Sequence, residues 1–202
     1  MSAIPIALEG SRISALVVGG GIVGTRKAAA LAASGARVRV IAPAMSPELE
    51  SLAATGDRVT LVREKYEPSM LGDEQIVLVA TNSTKVNAKV ASDAAARGAL
   101  VNRADLPDES HFHTMAVHRC GDIVVGVIAG GVPAAAARIR DAIAKKLDGR
   151  YANAISALRR FRFKAQATKP EDWAKLQEQL IGDDFCAHVE SGKFSEDANG
   201  WA

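Results

Sequence analysis

The sequence predicts an α/β fold in which a parallel β-sheet is covered by helices on both faces. Short apolar runs alternate with helical patterns from Ser14 to Asp105, and repeated units of this kind build parallel sheets. The first predicted strand also runs directly into a glycine-rich turn and a helix, "VVGGGIVGTRKAAALAA". The alternation stops after Asp105, which indicates a change of structure near residue 112 and a further one near residue 150.

The strands are indicated by short apolar or alternating runs bounded by glycine, proline or polar residues. We predict parallel strands at Ser14–Val18, Arg37–Ala42, Val59–Val62, Gln75–Ala80 and Ala99–Ala104. Two later runs, Met115–Arg119 and Ile123–Ile128, are separated by "CGD" and predict a hairpin-like pair.

The helices are indicated by their spacing and by their start signals. Ser46 stands at a cap position with Pro47 directly after it, and Pro133 opens a later helix in the same way. We predict helices at 22–34, from Pro47, at 85–98 and at 133–147, then two more within 150–182 that break at Thr168–Pro170. The tail, 191–202, is predicted to be loose.

Composition limits the class of protein. A chain of 202 residues with 48% hydrophobic and 24% charged residues is typical of a soluble globular protein. The net charge of +2 does not favour nucleic acid. We find no signal peptide and no apolar run of the roughly 18 residues that a membrane helix needs. Two cysteines do not build a disulfide framework, so we expect a reduced, cytoplasmic protein.

Gly19, Gly21 and Gly24 form the pattern G-x-G-x-x-G between a strand and a helix. In that context the first glycine makes the tight turn, the second lets a pyrophosphate approach, and the third allows close packing of helix on strand. The free N–H groups at the helix start then face the phosphates. A glycine-rich turn without a ligand is the simpler alternative.

The second strand lacks the acid that usually binds the ribose hydroxyls of NAD. It ends in "VIAPAMS". Arg37 and Arg39 could bind the 2′-phosphate of NADP or form a solvated strand face, so the residues alone leave NAD and NADP open.

Asp105 follows the fifth strand in "VNRADLPDESHFH". Ligands of open α/β sheets bind outside the carboxyl ends of the strands, where a carboxylate can accept a proton as a hydride leaves a substrate. An equally good interpretation is that Asp105 only caps the turn before Pro107. His111, His113 and His118 lie nearby without Cys or acidic partners at ligand spacing, so we assign no metal site.

A basic region runs from Arg138 to Lys164, with nine Lys and Arg residues against two acids. It could bind a polyanionic small molecule or be a solvated helix surface, while its few aromatic residues disfavour nucleic acid.

Taken together, the glycine-rich segment, the segment around Asp105 and the segment that opens the basic region resemble the precorrin-2 dehydrogenase/sirohydrochlorin ferrochelatase module of siroheme synthases. The resemblance covers about residues 4–147, and "VNRADLP" and "GGVPAAAARIR" separate it from generic dinucleotide folds. It implies a Rossmann-type NAD-binding domain at 1–112, a dimerisation segment with a strand pair and a helix at 113–149, and a helical C-terminal domain at 150–202. It also implies a homodimer.

The activity implied by the resemblance is the NAD-dependent oxidation of precorrin-2 to sirohydrochlorin in siroheme biosynthesis. The family's catalytic aspartate corresponds to Asp105. Substrate contacts are expected at Asn102, His113, Arg138 and Arg140. Cofactor contacts are expected at Gly19, Gly21, Ile22, Val23, Gly24, Pro43, Ala44 and Thr81.

Two alternatives remain at this stage. Ile128, Ala129, His113 and Met115 depart from the family pattern near the expected substrate cleft, which leaves insertion of Fe²⁺ or Co²⁺ open. A nucleotide-sensing regulatory module that binds NAD without catalysis is the second functional class, although such modules usually keep the acid after strand two. A short-chain-type reductase is disfavoured because neither tyrosine has a Lys four residues later.

Overall fold

The computed structural model describes residues 3–168, 173, 177 and 180–194. The chain divides into two compact units between His113 and Thr114.

The first unit is built on a five-stranded sheet in which all paired strands are parallel. The strands are β1 (Ser14–Val18), β2 (Arg37–Ile41), β3 (Val59–Val62), β4 (Ile76–Val79) and β5 (Leu100–Arg103), in the order β3-β2-β1-β4-β5. The chain proceeds outward from β1 to β3 and then crosses to the other side of β1. The strand order therefore reverses between β1 and β4, the position at which such sheets bind ligands.

Both faces of this sheet carry a buried hydrophobic cluster, which explains why apolar residues occupy both sides of its central strands. On β1, Ala15 and Val17 belong to one hydrophobic cluster, whereas Leu16 and Val18 belong to another. The covering helices are α1 (Ile22–Ala33), α2 (Pro47–Ala54) and α3 (Thr84–Ala96).

The helices α2 and α3 begin at serine caps. The Ser46 hydroxyl accepts the Leu49 N–H at 3.1 Å, and the Ser83 hydroxyl accepts the Val86 N–H at 3.4 Å. Each bond satisfies one of the free donors at a helix start. The caps fix where α2 and α3 begin, next to the carboxyl ends of β2 and β4.

The second unit combines a hairpin with helices. The strands β6 (Ala116–Cys120) and β7 (Ile123–Val127) pair antiparallel and pack on α4 (Pro133–Ala144). The helices α5 (Gly149–Thr168) and α6 (Phe185–Ser191) form a separate cluster in this unit. None of the described helices is both long and apolar enough to cross a membrane.

The predicted parallel α/β fold is confirmed, with strand ends that agree to within one residue in the first unit. The predicted break at Thr168–Pro170 falls where α5 ends, and residues 169–172 lie outside the described part of the chain. The prediction of a loose tail from Ser191 is wrong as far as Phe194. This side chain is 4% exposed, and its ring meets that of Phe185 edge-on at 5.3 Å between centroids.

We expect Phe194→Ala to lower the unfolding free energy of the second unit by about 3–5 kcal/mol, because truncating a buried aromatic ring leaves a cavity. Phe163, which is 79% exposed, provides a matched control, and Phe163→Ala is expected to have little effect. Urea unfolding followed by circular dichroism measures both. Equal losses in the two variants would contradict the packed position of Phe194.

Candidate functional site

A cavity of about 850 Å³ opens at the carboxyl ends of β1, β2 and β4, within the size range of small-molecule sites. It lies where the strand order of the sheet reverses. The residues that line it are Val18–Ile22, Ile41–Ser46, Lys65–Glu67, Ala80–Ser83 and Val86.

The glycine loop between β1 and α1 forms one wall of this cavity. Gly19 has a φ of +125°, and a Cβ there would lie 2.3 Å from the carbonyl oxygen of Ala80. A Cβ on Gly24 would lie 1.9 Å from the carbonyl oxygen of Gly19, whereas one on Gly21 would meet no atom within 4 Å. The fold itself therefore requires Gly19 and Gly24. Gly21 leaves open space at the start of α1, where free N–H groups can bind an anion.

Hydrogen bonds fix this loop against the start of α2. The Thr25 hydroxyl donates to the Gly21 carbonyl oxygen at 2.9 Å and lies 2.9 Å from the Ser46 hydroxyl. The Ser46 N–H donates to the Gly20 carbonyl oxygen at 2.9 Å. The loop is thus held in its shape by the protein before any ligand binds, which reduces the ordering cost of binding.

The cavity wall after β3 carries polar groups to which the sequence analysis gave no role. Lys65, Tyr66 and Glu67 line the cavity, and the Tyr66 hydroxyl donates to a carboxylate oxygen of Asp93 at 3.0 Å. Burial, and then the hydrogen bond to Asp93, raises the pKa of Tyr66, so the phenol stays neutral. These residues lie within residues 4–147, the part of the chain that resembles the siroheme synthase module, and that resemblance is the only sequence signal for this wall.

Thr81, after β4, is held by the side chain of Asn87 on α3. The Asn87 amide oxygen accepts the Thr81 N–H at 3.2 Å and the Thr81 hydroxyl at 2.5 Å. The Asn87 amide nitrogen donates to the Thr81 carbonyl oxygen at 3.1 Å. Asn87 is 0% exposed, so these bonds are shielded from water.

Asp105 is bound by the guanidinium group of Arg103. Arg103 Nε donates to Asp105 Oδ1 at 3.2 Å, and Nη2 donates to Oδ2 at 2.9 Å. Nη1 of the same residue donates to Glu109 Oε2 at 2.5 Å. The hydrogen bonding to Arg103 lowers the pKa of Asp105, and the desolvation caused by partial burial opposes this effect without cancelling it. Asp105 is therefore ionised at neutral pH. It directly follows Ala104, whose N–H donates to the Val79 carbonyl oxygen at the end of β4 at 2.9 Å, but it does not line the cavity itself.

Asn102, a predicted substrate contact, is 5% exposed. Its amide oxygen accepts from Lys27 Nζ at 2.6 Å, and its amide nitrogen donates to the Phe112 carbonyl oxygen at 2.8 Å. Burial, together with the charge of Arg26, lowers the pKa of Lys27. Both ends of the Asn102 amide are thus bonded within the first unit, where they tie β5 to α1, and contact with a substrate stays a prediction.

His111 and His118 each take part in a separate hydrogen bond. The Val101 N–H donates to His111 Nδ1 at 3.3 Å, His118 Nε2 lies 3.1 Å from the Leu147 carbonyl oxygen, and His113 is partly buried. Within the described residues, no group of three or more His, Cys, Asp or Glu side chains is arranged to hold a metal ion.

The predicted arginine contacts lie on α4 in the second unit. Arg138 is exposed, and Arg140 forms an ion pair with Asp141 at 2.7 Å. Because Arg140 is already paired, Arg138 has the more available positive charge.

Most of the predicted cofactor residues lie at the cavity. Two of them do not line it, Val23 and Gly24. Gly24 is buried beneath the loop against Gly19, as the packing role of the third glycine requires, and its contact with a cofactor stays a prediction. The residues that line the cavity are Gly19, Gly21, Ile22, Pro43, Ala44 and Thr81.

A sequence family described as "Putative NAD(P)-binding" matches residues 6–116 of the chain. The chain belongs to this family. The matched segment contains the whole five-stranded sheet and every residue that lines the cavity. The glycine loop, the open start of α1 and the reversal of strand order are the features that an NAD(P)-binding domain uses to hold a dinucleotide.

Curated relatives include siroheme synthases. The chain is 36% identical over 172 residues to one from Chromobacterium violaceum, an alignment that covers 85% of this chain and 36% of the relative. It is 37% identical over 165 residues to one from Pseudomonas entomophila, covering 81% of this chain and 35% of the relative. The chain thus corresponds to about a third of the length of these curated relatives.

A solved structure titled "SirC, precorrin-2 dehydrogenase" has the same fold. The match has a TM-score of 0.77 at 24% sequence identity and covers 98% of this chain and 100% of SirC. The fold that this chain shares with SirC therefore includes the second unit as well as the NAD(P)-binding domain.

We expect Gly21→Ala and Gly24→Ala to have different effects. A methyl group on Gly21 extends into open space, so this variant should keep its stability and bind the dinucleotide at least tenfold more weakly. A methyl group on Gly24 meets the Gly19 carbonyl oxygen, so that variant should lose about 1–3 kcal/mol of unfolding free energy, as overpacked sites do. Calorimetric titration with NAD and thermal unfolding separate the two effects. Wild-type affinity in Gly21→Ala would contradict this location of the phosphate site.

Proposed function

We propose that the chain is an NAD-dependent dehydrogenase that oxidises precorrin-2 to sirohydrochlorin on the route to siroheme. The observation that carries the proposal is an ionised carboxylate, Asp105, next to a preformed dinucleotide cavity in an NAD(P)-binding domain. The siroheme synthase relatives and the fold shared with SirC support the choice of substrate.

The residues around the cavity fit NAD. The N–H groups at the start of α1 and the open space at Gly21 suit a pyrophosphate. Glu67 is the acidic residue among those lining the cavity and offers an acceptor for ribose hydroxyls, the role usually taken by an acid after the second strand. The nearby Lys65 would favour the 2′-phosphate of NADP, so both cofactors are to be compared in the assay.

Oxidation of the macrocycle removes a hydride and a proton. When bound, NAD supplies the hydride acceptor. Asp105 takes the proton, for which it must be ionised beforehand, and the paired hydrogen bonds from Arg103 keep it ionised. The glycine loop and Thr81 orient the cofactor, since the chemistry belongs to cofactor and substrate and the protein supplies position and charge.

The second unit supplies positive charge for a substrate with many carboxylates. We propose Arg138 and Arg140 as contacts of these carboxylates. In the first unit, Asn102 and His113 remain the predicted substrate contacts. The surrounding basic region, Arg138 to Lys164, adds long-range attraction.

The assembly and a second activity are parts of the same proposal. We propose a cytoplasmic homodimer in which segment 113–149 forms the subunit contact. In the sequence, this segment follows an NAD-binding domain at 1–112 and precedes a helical domain at 150–202. Insertion of Fe²⁺ or Co²⁺ into sirohydrochlorin is a separate reaction, tested by adding either ion after the dehydrogenation is complete.

We expect Asp105→Asn to lower turnover by about 10²–10⁴-fold, the usual contribution of a general base, while NAD affinity stays within threefold of wild type. The measurement is the appearance of NADH absorbance and of the sirohydrochlorin spectrum during anaerobic incubation with precorrin-2. NADP serves as the control cofactor. NAD binding by the wild type without any oxidation would favour a nucleotide-sensing module instead.

We expect Arg138→Glu to raise the KM for precorrin-2 about five- to tenfold, corresponding to roughly 1 kcal/mol of lost attraction at an exposed site. The kcat and the KM for NAD should stay unchanged. Arg12→Glu, at an exposed position of the first unit, controls for the change in net charge. An unchanged KM in Arg138→Glu would remove Arg138 from the substrate contacts.

A further inference from the structure

We propose that Tyr66 contacts the adenine of the bound dinucleotide and that Asp93 is the positioning residue that holds the Tyr66 ring in the cavity wall. NAD binding, as in the proposed function, is required for this role, whereas the identity of the substrate is not. Three features support it: the place of Tyr66 in the cavity, its aromatic ring, and the bonds that tie it to α3.

The adenosine half of a dinucleotide is expected at the side of the cavity formed after β2 and β3. In folds of this type the pyrophosphate lies at the start of α1, and the acid that binds the adenosine ribose follows the second strand. Pro43 and Ala44 follow β2 and line the cavity. Tyr66 lies in the connection after β3, the strand next to β2, and lines the same cavity. Tyr66 is therefore at the adenosine end of the site.

The side chain of Tyr66 suits a planar base. Among the described residues that line the cavity, Tyr66 alone is aromatic. It is partly buried and packs against the hydrophobic cluster that contains Val18 and Ile41, two residues that also line the cavity. An aromatic side chain can bind any nucleobase through its π-face, so a ring supported by the core at this place favours contact with adenine.

The hydroxyl of Tyr66 is bound to α3. It donates to Asp93 Oδ2 at 3.0 Å, and Lys89 Nζ lies 3.2 Å from the same oxygen. Hydrogen bonds to a charged acceptor are stronger than those between neutral groups. The single donor hydrogen of the phenol is thus used by Asp93, so the ring is what Tyr66 offers to a ligand.

A second side chain of α3 holds the same connection. Arg97 Nη1 donates to the Leu71 carbonyl oxygen, and Nη2 donates to the Pro68 carbonyl oxygen at 3.2 Å. The connection after β3 is therefore tied to α3 at Tyr66, Pro68 and Leu71 before any ligand binds, which lowers the ordering cost of binding. Of these three residues only Tyr66 lines the cavity, and Asp93 is the residue that binds it.

The first readout locates Tyr66 relative to the ligand by NMR, in the full chain labelled with ¹³C in the tyrosine rings. The sequence has two tyrosines, so Tyr66→Phe assigns both sets of signals. Tyr151 is 6% exposed within the second unit and serves as the reference. We expect NAD and ADP-ribose to shift the Tyr66 signals, because both carry the adenosine half, whereas nicotinamide mononucleotide should leave them unchanged.

The second readout is the affinity of variants for the same probes, measured by calorimetric titration. We expect Tyr66→Leu, which keeps an apolar side chain for packing, to bind ADP-ribose about tenfold more weakly, the scale of a base–aromatic contact. Its affinity for nicotinamide mononucleotide should be that of wild type. A role of Tyr66 in packing alone would lower both affinities equally or neither of them.

The third readout separates Asp93 from the ring. Tyr66→Phe and Asp93→Ala each remove the hydrogen bond but keep the ring, so each should weaken ADP-ribose binding about threefold through lost preorganisation. The double variant should show no further loss, because both changes act through the same bond. Asp93→Asn keeps an acceptor oxygen and should retain wild-type affinity. Asp73→Ala, at an exposed acid outside the cavity, controls for the change in charge.

The outcomes distinguish this role from the proposed function. If wild type binds NAD without oxidising precorrin-2, the proposed function is lost, and the probes still decide the role of Tyr66. Saturation with ADP-ribose that leaves the Tyr66 signals in place, or wild-type ADP-ribose affinity in Tyr66→Leu, overturns the adenine contact. Additive losses in Tyr66→Phe and Asp93→Ala, or unchanged affinity in Asp93→Ala, overturn the assignment of Asp93. A wild type that binds no dinucleotide overturns both this role and the proposed function.

Discussion

The close approach of Gly19 to the end of β4 is the contact on which the site depends. The Gly19 N–H donates to the Ile41 carbonyl oxygen at the end of β2, and its Cα lies too near the Ala80 carbonyl oxygen for any side chain. Its positive φ turns the chain so that Gly24 can pack on Gly19. One backbone turn thus brings the start of α1 over the sheet at the point where the strand order reverses, and the cavity follows from it.

Structure that is determined by residues close together in the sequence explains how much of the first unit could be predicted. Its central strands β1 and β4 are buried on both faces, so burial leaves a nearly continuous apolar signal in them, as in "QIVLVA". The glycine pattern and the Ser46–Pro47 cap are each formed by residues that are close together in the sequence. Short signals of this kind determine local structure directly. The cavity wall formed by Gly19, Gly21, Pro43 and Ala44 followed from these local rules and from the family resemblance.

The contacts that sequence analysis missed join residues far apart in the chain. Tyr66 bonds to Asp93 across 27 residues, and Lys27 bonds to Asn102 across 75. Asn87 in a helical pattern gives no sign that its amide binds a cavity wall, because a single polar residue on a helix is usually solvated. Phe194 stands in a polar tail sequence, and its burial against Phe185 depends on packing that no local pattern encodes.

The guanidinium of Arg103 also has an electrostatic consequence. It binds two carboxylates, Asp105 and Glu109, so two negative charges and one positive charge leave this corner of the sheet with a single net negative charge. A polyanion that approaches the corner is repelled less than it would be by two free acids. The ion pair thus holds the Asp105 carboxylate in place and at the same time weakens its repulsion of an approaching acidic molecule.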